Sequence, residues 1–230
     1  MAGWRGGGGM LDALRGRLIV SCQPVPGGPL DRPDIVAALA LAALAGGAAG
    51  LRVEGVANLR AVRAATAAPL IGLIKRDLAG TDVRITPRLA DVDALADAGA
   101  DIVALDATDR ARPESVAALV GRVRARGRLA MADCATAAEG RGALAAGAAL
   151  LGSTLSGYTG GPVPEEPDYD LVAALAALGA FAVAEGRYHR PDQAARAVAL
   201  GADAVTVGTA ITRPEHVTAW FAQAVWGRHG

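Results

Sequence analysis

Lysine is almost missing from this chain. Of its 23 Lys and Arg residues a single one, Lys75, is lysine. Arginine occupies nearly every position where a plain cation suffices, so the lysine that persists is a candidate for a task arginine cannot perform. A guanidinium keeps its proton in a protein, whereas a desolvated ammonium can become a neutral amine and act as a base. The other reading is a chance survivor closing the apolar run Leu70-Ile71-Gly72-Leu73-Ile74-Lys75. Composition alone leaves both open. Aromatic residues are only 3% of a chain that is 52% hydrophobic, so the core must be built from Ala, Val, Leu and Ile. Two cysteines, Cys22 and Cys134, suit a reduced, cytoplasmic setting better than a disulfide framework. No uninterrupted apolar stretch reaches the roughly 18 residues of a membrane helix, since even Ile35–Ala49 is broken by glycine. Net charge is zero, with acids and arginines interspersed, which argues against a nucleic-acid or membrane partner. The start, Met1 to Met10, has no apolar signal-peptide core. It reads as a flexible glycine-rich leader over residues 1–13, with 14–230 as one catalytic domain and Met10 as an alternative start. His189, His216 and His229 have no metal-triad spacing, and neither a metal nor a cofactor is inferred.

What is present is a βα alternation. Eight short apolar runs read as strands: Leu18–Cys22, Gly50–Val53, Leu70–Ile74, Asp101–Leu105, Leu129–Ala132, Leu150–Leu155, Phe181–Ala184 and Ala204–Val207. Helical stretches lie between them, among them Arg32–Ala45, Leu89–Ala98, Pro113–Arg126, Asp168–Leu178, Pro191–Leu200 and Pro214–Trp226. Helix starts carry proline followed by an acid, as in Pro33-Asp34, Pro113-Glu114, Pro191-Asp192 and Pro214-Glu215. Helix ends carry glycine, as in Ala98-Gly99-Ala100 and Leu200-Gly201-Ala202. Continuously apolar strands indicate a parallel sheet covered on both faces. Eight units without a second domain predict a single-domain (β/α)8 TIM barrel, an α/β fold. A doubly wound open sheet is the alternative, but the first βα turn lacks a dinucleotide-binding glycine fingerprint.

In such a barrel the chemistry lies at the C-terminal ends of the strands. Those exits carry Gln23, Arg52 with Glu54, Lys75, Asp106, Asp133, Thr154 with Ser156, Glu185, and Gly208-Thr209. Any one of them alone reads as ordinary surface polarity; their convergence at one mouth reads as an active site. Lys75 and Glu185 are four strands apart, on opposite walls, and suit proton transfer at one carbon from either side. A mouth arginine paired with Glu185 is the plainer role for that carboxylate. Gly186, Gly208, Thr209 and Arg213 follow the seventh and eighth strands, where many such barrels bind phosphate with bare N–H groups and an arginine. Asp133 reads as a sugar-hydroxyl ligand, an orienting group or a helix cap. Asp106 reads as a structural turn, and Cys134 as a weak nucleophile candidate without a histidine partner.

The motifs taken together resemble the N-acetylmannosamine-6-phosphate 2-epimerase family of sialic-acid catabolism. They are Leu18–Gln23, Gly72–Arg76, Ile85-Thr86-Pro87 with Asp91-Val92, Ala104–Thr108, Ala132–Cys134, Thr154-Leu155-Ser156-Gly157-Tyr158-Thr159, Ala184–Arg187 and Val207–Pro214. The resemblance is collinear from about Leu14 to about Val225. It implies exchange of the C2 proton between N-acetylmannosamine 6-phosphate and N-acetylglucosamine 6-phosphate, with Lys75 as the acid/base and Glu185 as an essential glutamate. It implies substrate contacts from Gln23, Arg52, Asp133, Ser156, Tyr158 and Arg213, a phosphorylated N-acetylhexosamine as partner, and a homodimer. Glu54 and Tyr188-His189 depart from the expected pattern and bear on substrate preference.

Acid/base work by Lys75 near neutrality requires a value about three pH units below the free ~10.4, a cost of about 4 kcal/mol, supplied by burial and neighbouring cations. Arg52 and Arg76 are the cations expected to contribute. Rival readings are a Schiff-base aldolase or lyase using the same amine on a phosphosugar, and a phosphosugar-binding barrel without turnover. In the last helix, Val217, Trp220, Phe221 and Ala224 form one apolar face while Trp226 falls off it, which suggests a subunit interface.

Overall fold

A computed structural model describes residues 7–227. The first six residues of the expected leader, and His229, lie outside the described residues. Residues 7–13 are not a loose leader. Gly7–Leu14 form a helix, α1, with Met10 and Leu14 buried. Both pack into a cluster with Ile19, Ile71, Ile102, Leu150, Phe181 and Ala204 inside the sheet, so α1 plugs one end of the molecule. The physical reason is the spacing of Met10 and Leu14, i and i+4 on one face, which overrides the low helix preference of the glycines.

The remaining order is β1 (Arg17–Cys22), α2 (Pro33–Ala45), β2 (Gly50–Glu54), α3 (Val56–Ala65), β3 (Leu70–Leu73), α4 (Leu89–Asp97), β4 (Ile102–Asp106), α5 (Val116–Ala125), β5 (Leu129–Asp133), α6 (Ala137–Ala145), β6 (Leu150–Gly152), α7 (Tyr169–Ala176), β7 (Phe181–Glu185), α8 (Pro191–Ala199), β8 (Ala204–Val207), α9 (Thr209–Thr212) and α10 (Pro214–Trp226). The eight strands pair in sequence order and close, β8 on β1, into a parallel barrel. The expected (β/α)8 fold is the one observed. No helix among the described residues is long and apolar enough to cross a membrane.

Side chains alternate along each strand. Residues such as Val20, Leu51, Leu70, Val103, Ala132 and Leu151 face the helices and form the outer core. The other series fills the barrel and continues upward into the mouth: Ile19 to Ser21, Ile71 and Leu73 to Lys75, Val183 to Glu185, Ala204 to Thr206. Alternation thus sets polar residues on top of an apolar plug.

Four local expectations need correction. The fifth helix starts at Val116 rather than Pro113, because Ser115 caps it, its Oγ accepting from Ala118 N at 3.1 Å. Arg112 upstream is held by Asp106 and has no place in a first turn. The sixth strand ends at Gly152, because Ser153 leaves the ladder and closes a turn with Ser156 N at 3.1 Å. Helices α3 and α6 were not marked by the proline-acid signal, although Thr136-Ala137-Ala138-Glu139 is a capping box whose two reciprocal bonds both form. Finally, α10 buries none of its residues: Phe221 is 70% and Trp226 72% exposed, so both aromatics face outward and the expected split into a packed stripe and an outlying Trp226 does not occur.

Candidate active site

The strand exits enclose a cavity of about 450 Å³ lined by Gln23, Arg52, Lys75, Glu185, Gly208 and Arg213 among others. Its floor is a buried ionic cluster. Arg52, 1% exposed, rises from β2 and donates to both carboxylate oxygens of Asp133 on β5, at 3.2 and 2.7 Å. The same guanidinium lies 3.2 Å from Glu185 Oε2 on β7. Asp133 also accepts from Thr154 Oγ1 at 2.7 Å. Such a cluster is costly to bury and holds only because each charge is paired. Burial works against the Arg52 charge, but Asp133 and Glu185 outweigh it, and its proton is held more firmly than usual.

Glu185 faces the opposite balance. Burial raises its carboxyl, Asp133 adds to the rise, and Arg52, Lys75 and Thr154 pull back, leaving it pushed up to about 7. Ser153 clamps its backbone from both sides: Ser153 Oγ donates to Glu185 O at 2.9 Å and accepts from Glu185 N at 3.0 Å. Glu185 Oε2 and Thr206 Oγ1 are buried polar atoms without a hydrogen-bond partner among the described residues. Both line the cavity, so each has bonding capacity for a ligand there.

Lys75 sits just beyond β3. Its Nζ donates to Gln23 Oε1 at 2.7 Å, and its backbone N donates to Glu54 Oε1 at 3.2 Å. Gln23 is itself fixed, donating from Nε2 to Ser21 Oγ at 2.8 Å and accepting at its carbonyl from Arg213 Nε at 2.7 Å. The lysine is open to water by surface area, yet surrounded by protein in the concave mouth. Desolvation lowers its proton affinity, and Arg52 and then Arg213 lower it further against the pull of Glu54 and Glu185. Arg76 does not contribute as expected: it is tied to Asp91 at 2.5 Å and turned into the α4 cap.

A second corner of the mouth is built by the glycine-bearing exits of β7 and β8, with Arg213 joined to Lys75 through Gln23. Gly208 and Thr209 open the short helix α9, in which Ile211 N and Thr212 N both donate back to Gly208 O at 2.9 Å. A Cβ on Gly208 would come within 3.2 Å of the Ser21 side chain, so a larger residue there requires Ser21 to shift. Gly186 has φ +110°, which leaves its turn to glycine.

Of the expected site residues, Gln23, Arg52, Lys75, Tyr158, Glu185, Gly186, Gly208, Thr209 and Arg213 converge on the cavity. Asp133 does not reach it. The carboxylate is fully buried beneath Arg52, so it orients that arginine rather than touching a sugar. Ser156 is also withdrawn, because its Oγ donates at 2.5 Å to Asp168, the cap of α7. Asp106 holds a turn, accepting from Thr108 N at 2.9 Å and pairing with Arg110 and Arg112, but the turn opens no helix, since α5 begins at Val116, and Asp106 also lines the cavity. Cys134 is buried, and burial first, then Asp133, raises its thiol far from thiolate, so its candidacy as nucleophile ends. Ser21 and Thr206 were missed, although a hydroxyl interrupting an apolar strand two residues short of a polar exit is a readable signal. Arg84 and Arg110 also line the mouth. They come from loops, where no periodicity places them.

A sequence profile for the family described as "Putative N-acetylmannosamine-6-phosphate epimerase" matches residues 36–226. The "Bifunctional enzyme NanE/NanK" of Brucella melitensis biotype 1 is 60% identical over 94% of this chain, and the chain spans 42% of that protein's length. A "Putative N-acetylmannosamine-6-phosphate 2-epimerase" of Actinobacillus pleuropneumoniae serotype 5b is 56% identical, with 94% of each chain covered. The solved structure of the N-acetylmannosamine-6-phosphate 2-epimerase from Clostridium perfringens superposes with a TM-score of 0.90 at 39% identity, covering 94% of this chain and 96% of that one.

Proposed function

We propose, from the premise that this chain belongs to the N-acetylmannosamine-6-phosphate epimerase family, that it interconverts N-acetylmannosamine 6-phosphate and N-acetylglucosamine 6-phosphate by removing and returning the proton on C2. The observation that carries the reading is the single lysine, its Nζ 2.7 Å from Gln23 inside the mouth, with its proton affinity lowered by burial, Arg52 and Arg213. The proton on C2, the carbon that bears the acetamido nitrogen, becomes acidic only when C1 is a carbonyl, so the open-chain sugar is the reacting form. Neutral Lys75 takes the C2 proton, and the electron pair moves onto O1. The positive guanidinium of Arg52, held in place by Asp133, faces the charge that develops there. Glu185, on the opposite wall, serves by carrying its proton near neutrality, either to hold O1 or to protonate the far face of C2; its raised value suits both. Arg213, Gly186, Gly208 and Thr209 hold the phosphate. Arg213 commits Nε to Gln23, so phosphate binding and lysine alignment share one residue.

Proton NMR in D₂O with N-acetylmannosamine 6-phosphate tests the reading. Conversion to the gluco epimer with deuterium appearing at C2 is the expected result, and unphosphorylated N-acetylmannosamine should be a poor substrate. Binding without conversion, or a borohydride-trapped adduct on Lys75 accompanying carbon–carbon cleavage, would replace the epimerase with one of its rivals.

A further inference from the structure

The β3–β4 ladder is unusually short: only Ile71↔Ile102 and Gly72↔Val103 pair. Above that point the two strands part, at the level where β3 delivers Lys75. The chain leaves β3 at Ile74, makes a surface excursion and returns antiparallel, Lys75 pairing with Ile85 and Arg76 N donating to Arg84 O at 2.9 Å. The returning segment wedges into the gap, where Ile85 O accepts from Asp106 N at 3.0 Å. Thr86 closes the gap. Its N donates to Ile74 O at 2.7 Å and its Oγ1 accepts from Ile74 N at 3.3 Å, so one residue satisfies both backbone groups of the residue before the lysine. On the other side Thr86 Oγ1 donates to Ala104 O of β4 at 2.7 Å.

Thr86 does this in a conformation that suits it badly. Its φ is +47°, one of two positive values among the described non-glycine residues, and the residue is completely buried. Glycine would adopt that backbone freely, and a β-branched residue is the poorer choice. The hydroxyl explains the choice, because glycine offers no group to span Ile74 N and Ala104 O. Strain of this kind persists only where the surroundings fix it, and it concentrates at functional sites.

We infer that Thr86 is a positioning residue for Lys75: its hydroxyl and amide replace the missing β3–β4 ladder and fix the strand exit that carries the amine. The inference rests on the reading of Lys75 as the proton-transfer group. Thr86 itself does not line the cavity, although its neighbour Ile85 does. The lysine is anchored at three points, through Ile74 to Thr86, through its own N–H to Glu54, and through Nζ to Gln23. Loosening the first lets the amine drift from Arg52 and Arg213 toward water.

Three variants separate alignment from stability. Thr86→Ser keeps the hydroxyl, Thr86→Val keeps the shape without it, and Thr86→Gly removes both hydroxyl and strain. Val and Gly should lower kcat about 100-fold, the scale of an ångström-level misplacement, with KM for N-acetylmannosamine 6-phosphate within about threefold. Ser should stay within about threefold of wild type in both. Because the chain has one lysine, isotope-labelled lysine gives a single NMR signal, and the Lys75 pKa can be titrated directly. It should rise toward the ordinary lysine value in Val and Gly and stay put in Ser. If Val or Gly keeps kcat within about threefold, or if Ser is as impaired as Val, the positioning role is wrong. Should Val fail to fold, Gly, which is unstrained at this φ, carries the same criteria. Should wild type not turn over this phosphosugar, the activity reading falls separately. The Lys75 titration then decides alone, with an unmoved value in Gly overturning the inference.

Discussion

At the scale of single residues, two groups in the mouth have proton affinities displaced in opposite senses. Lys75 is lowered by desolvation, then by Arg52 and Arg213; Glu185 is raised by burial to about 7. That is the arrangement a neutral-pH acid/base pair requires. Lys75→Arg keeps the positive charge and fails only if the group must lose its proton. The variant should fold normally and lose at least about 10³-fold in kcat, with C2 deuterium exchange lost in parallel and KM little changed. Retention of a tenth of wild-type turnover would defeat the assignment. In the wild type, kcat/KM should fall on the acid side as Lys75 takes up a proton in the free enzyme. Glu185 makes a separate prediction about stability. Its folded value lies above the ordinary 4.5, so the native state binds this proton more tightly than the unfolded chain does. The stabilisation is complete below 4.5 and is lost as pH rises to about 7. Glu185→Gln stays neutral throughout and escapes that loss. Urea melts should therefore show the variant gaining on wild type between about pH 5 and about pH 8, and an unchanged difference would contradict the raised carboxyl.

At the scale of elements, the two ends of the barrel do different work. The mouth carries the polar exits, while α1 closes the opposite end with Met10 and Leu14. Leu14 is completely buried and presses so closely on β2 that a Cβ at Gly50 would come within 2.7 Å of its Cδ2. Leu14→Ala should cost about 2–5 kcal/mol, read as a lower urea midpoint, while kcat of the folded fraction stays at the wild-type level. A loss of kcat equal to the loss of the mouth variants would mean that the plug and the site are coupled. The same elements show what a sequence pattern transmits. Strand positions were legible because continuous apolar runs bounded by glycine-bearing helix ends have few other uses; β8 falls at Ala204–Val207, as read. The last residues of strands were less legible. Whether Gly152 or Leu155 ends β6 depends on Ser153 finding the backbone of Glu185, a partner 32 residues away.

At the scale of the molecule, α10 is the part the barrel does not account for. It carries Trp220, Phe221, Val225 and Trp226, all exposed, and none of its residues is buried. Trp220 packs against His189 with ring centroids 4.6 Å apart and planes tilted by 49°, which ties the helix to the cavity rim but leaves its outer face uncovered. The homodimer that the family resemblance implies would cover it. Light scattering at micromolar concentration should give a mass near twice 23.0 kDa, and Phe221→Asp combined with Trp226→Asp should halve it. A wild-type mass of one chain would count decisively against the interface. The sequence by itself determined the βα alternation, the parallel barrel and the set of polar strand exits, because apolar periodicity and helix-end glycines are local and act wherever they occur. It singled out Lys75 by composition. Only the tertiary structure decided which of those exits share one cavity. Asp133 and Ser156 carry polar groups like their neighbours, yet partners distant in sequence, Arg52 from β2 and Asp168 before α7, draw them below the surface. Thr86 stands in the sequence only as the middle of the Ile85-Thr86-Pro87 motif, and its strain and three bonds, which hold the lysine's strand exit, exist only where β3 and β4 part in space.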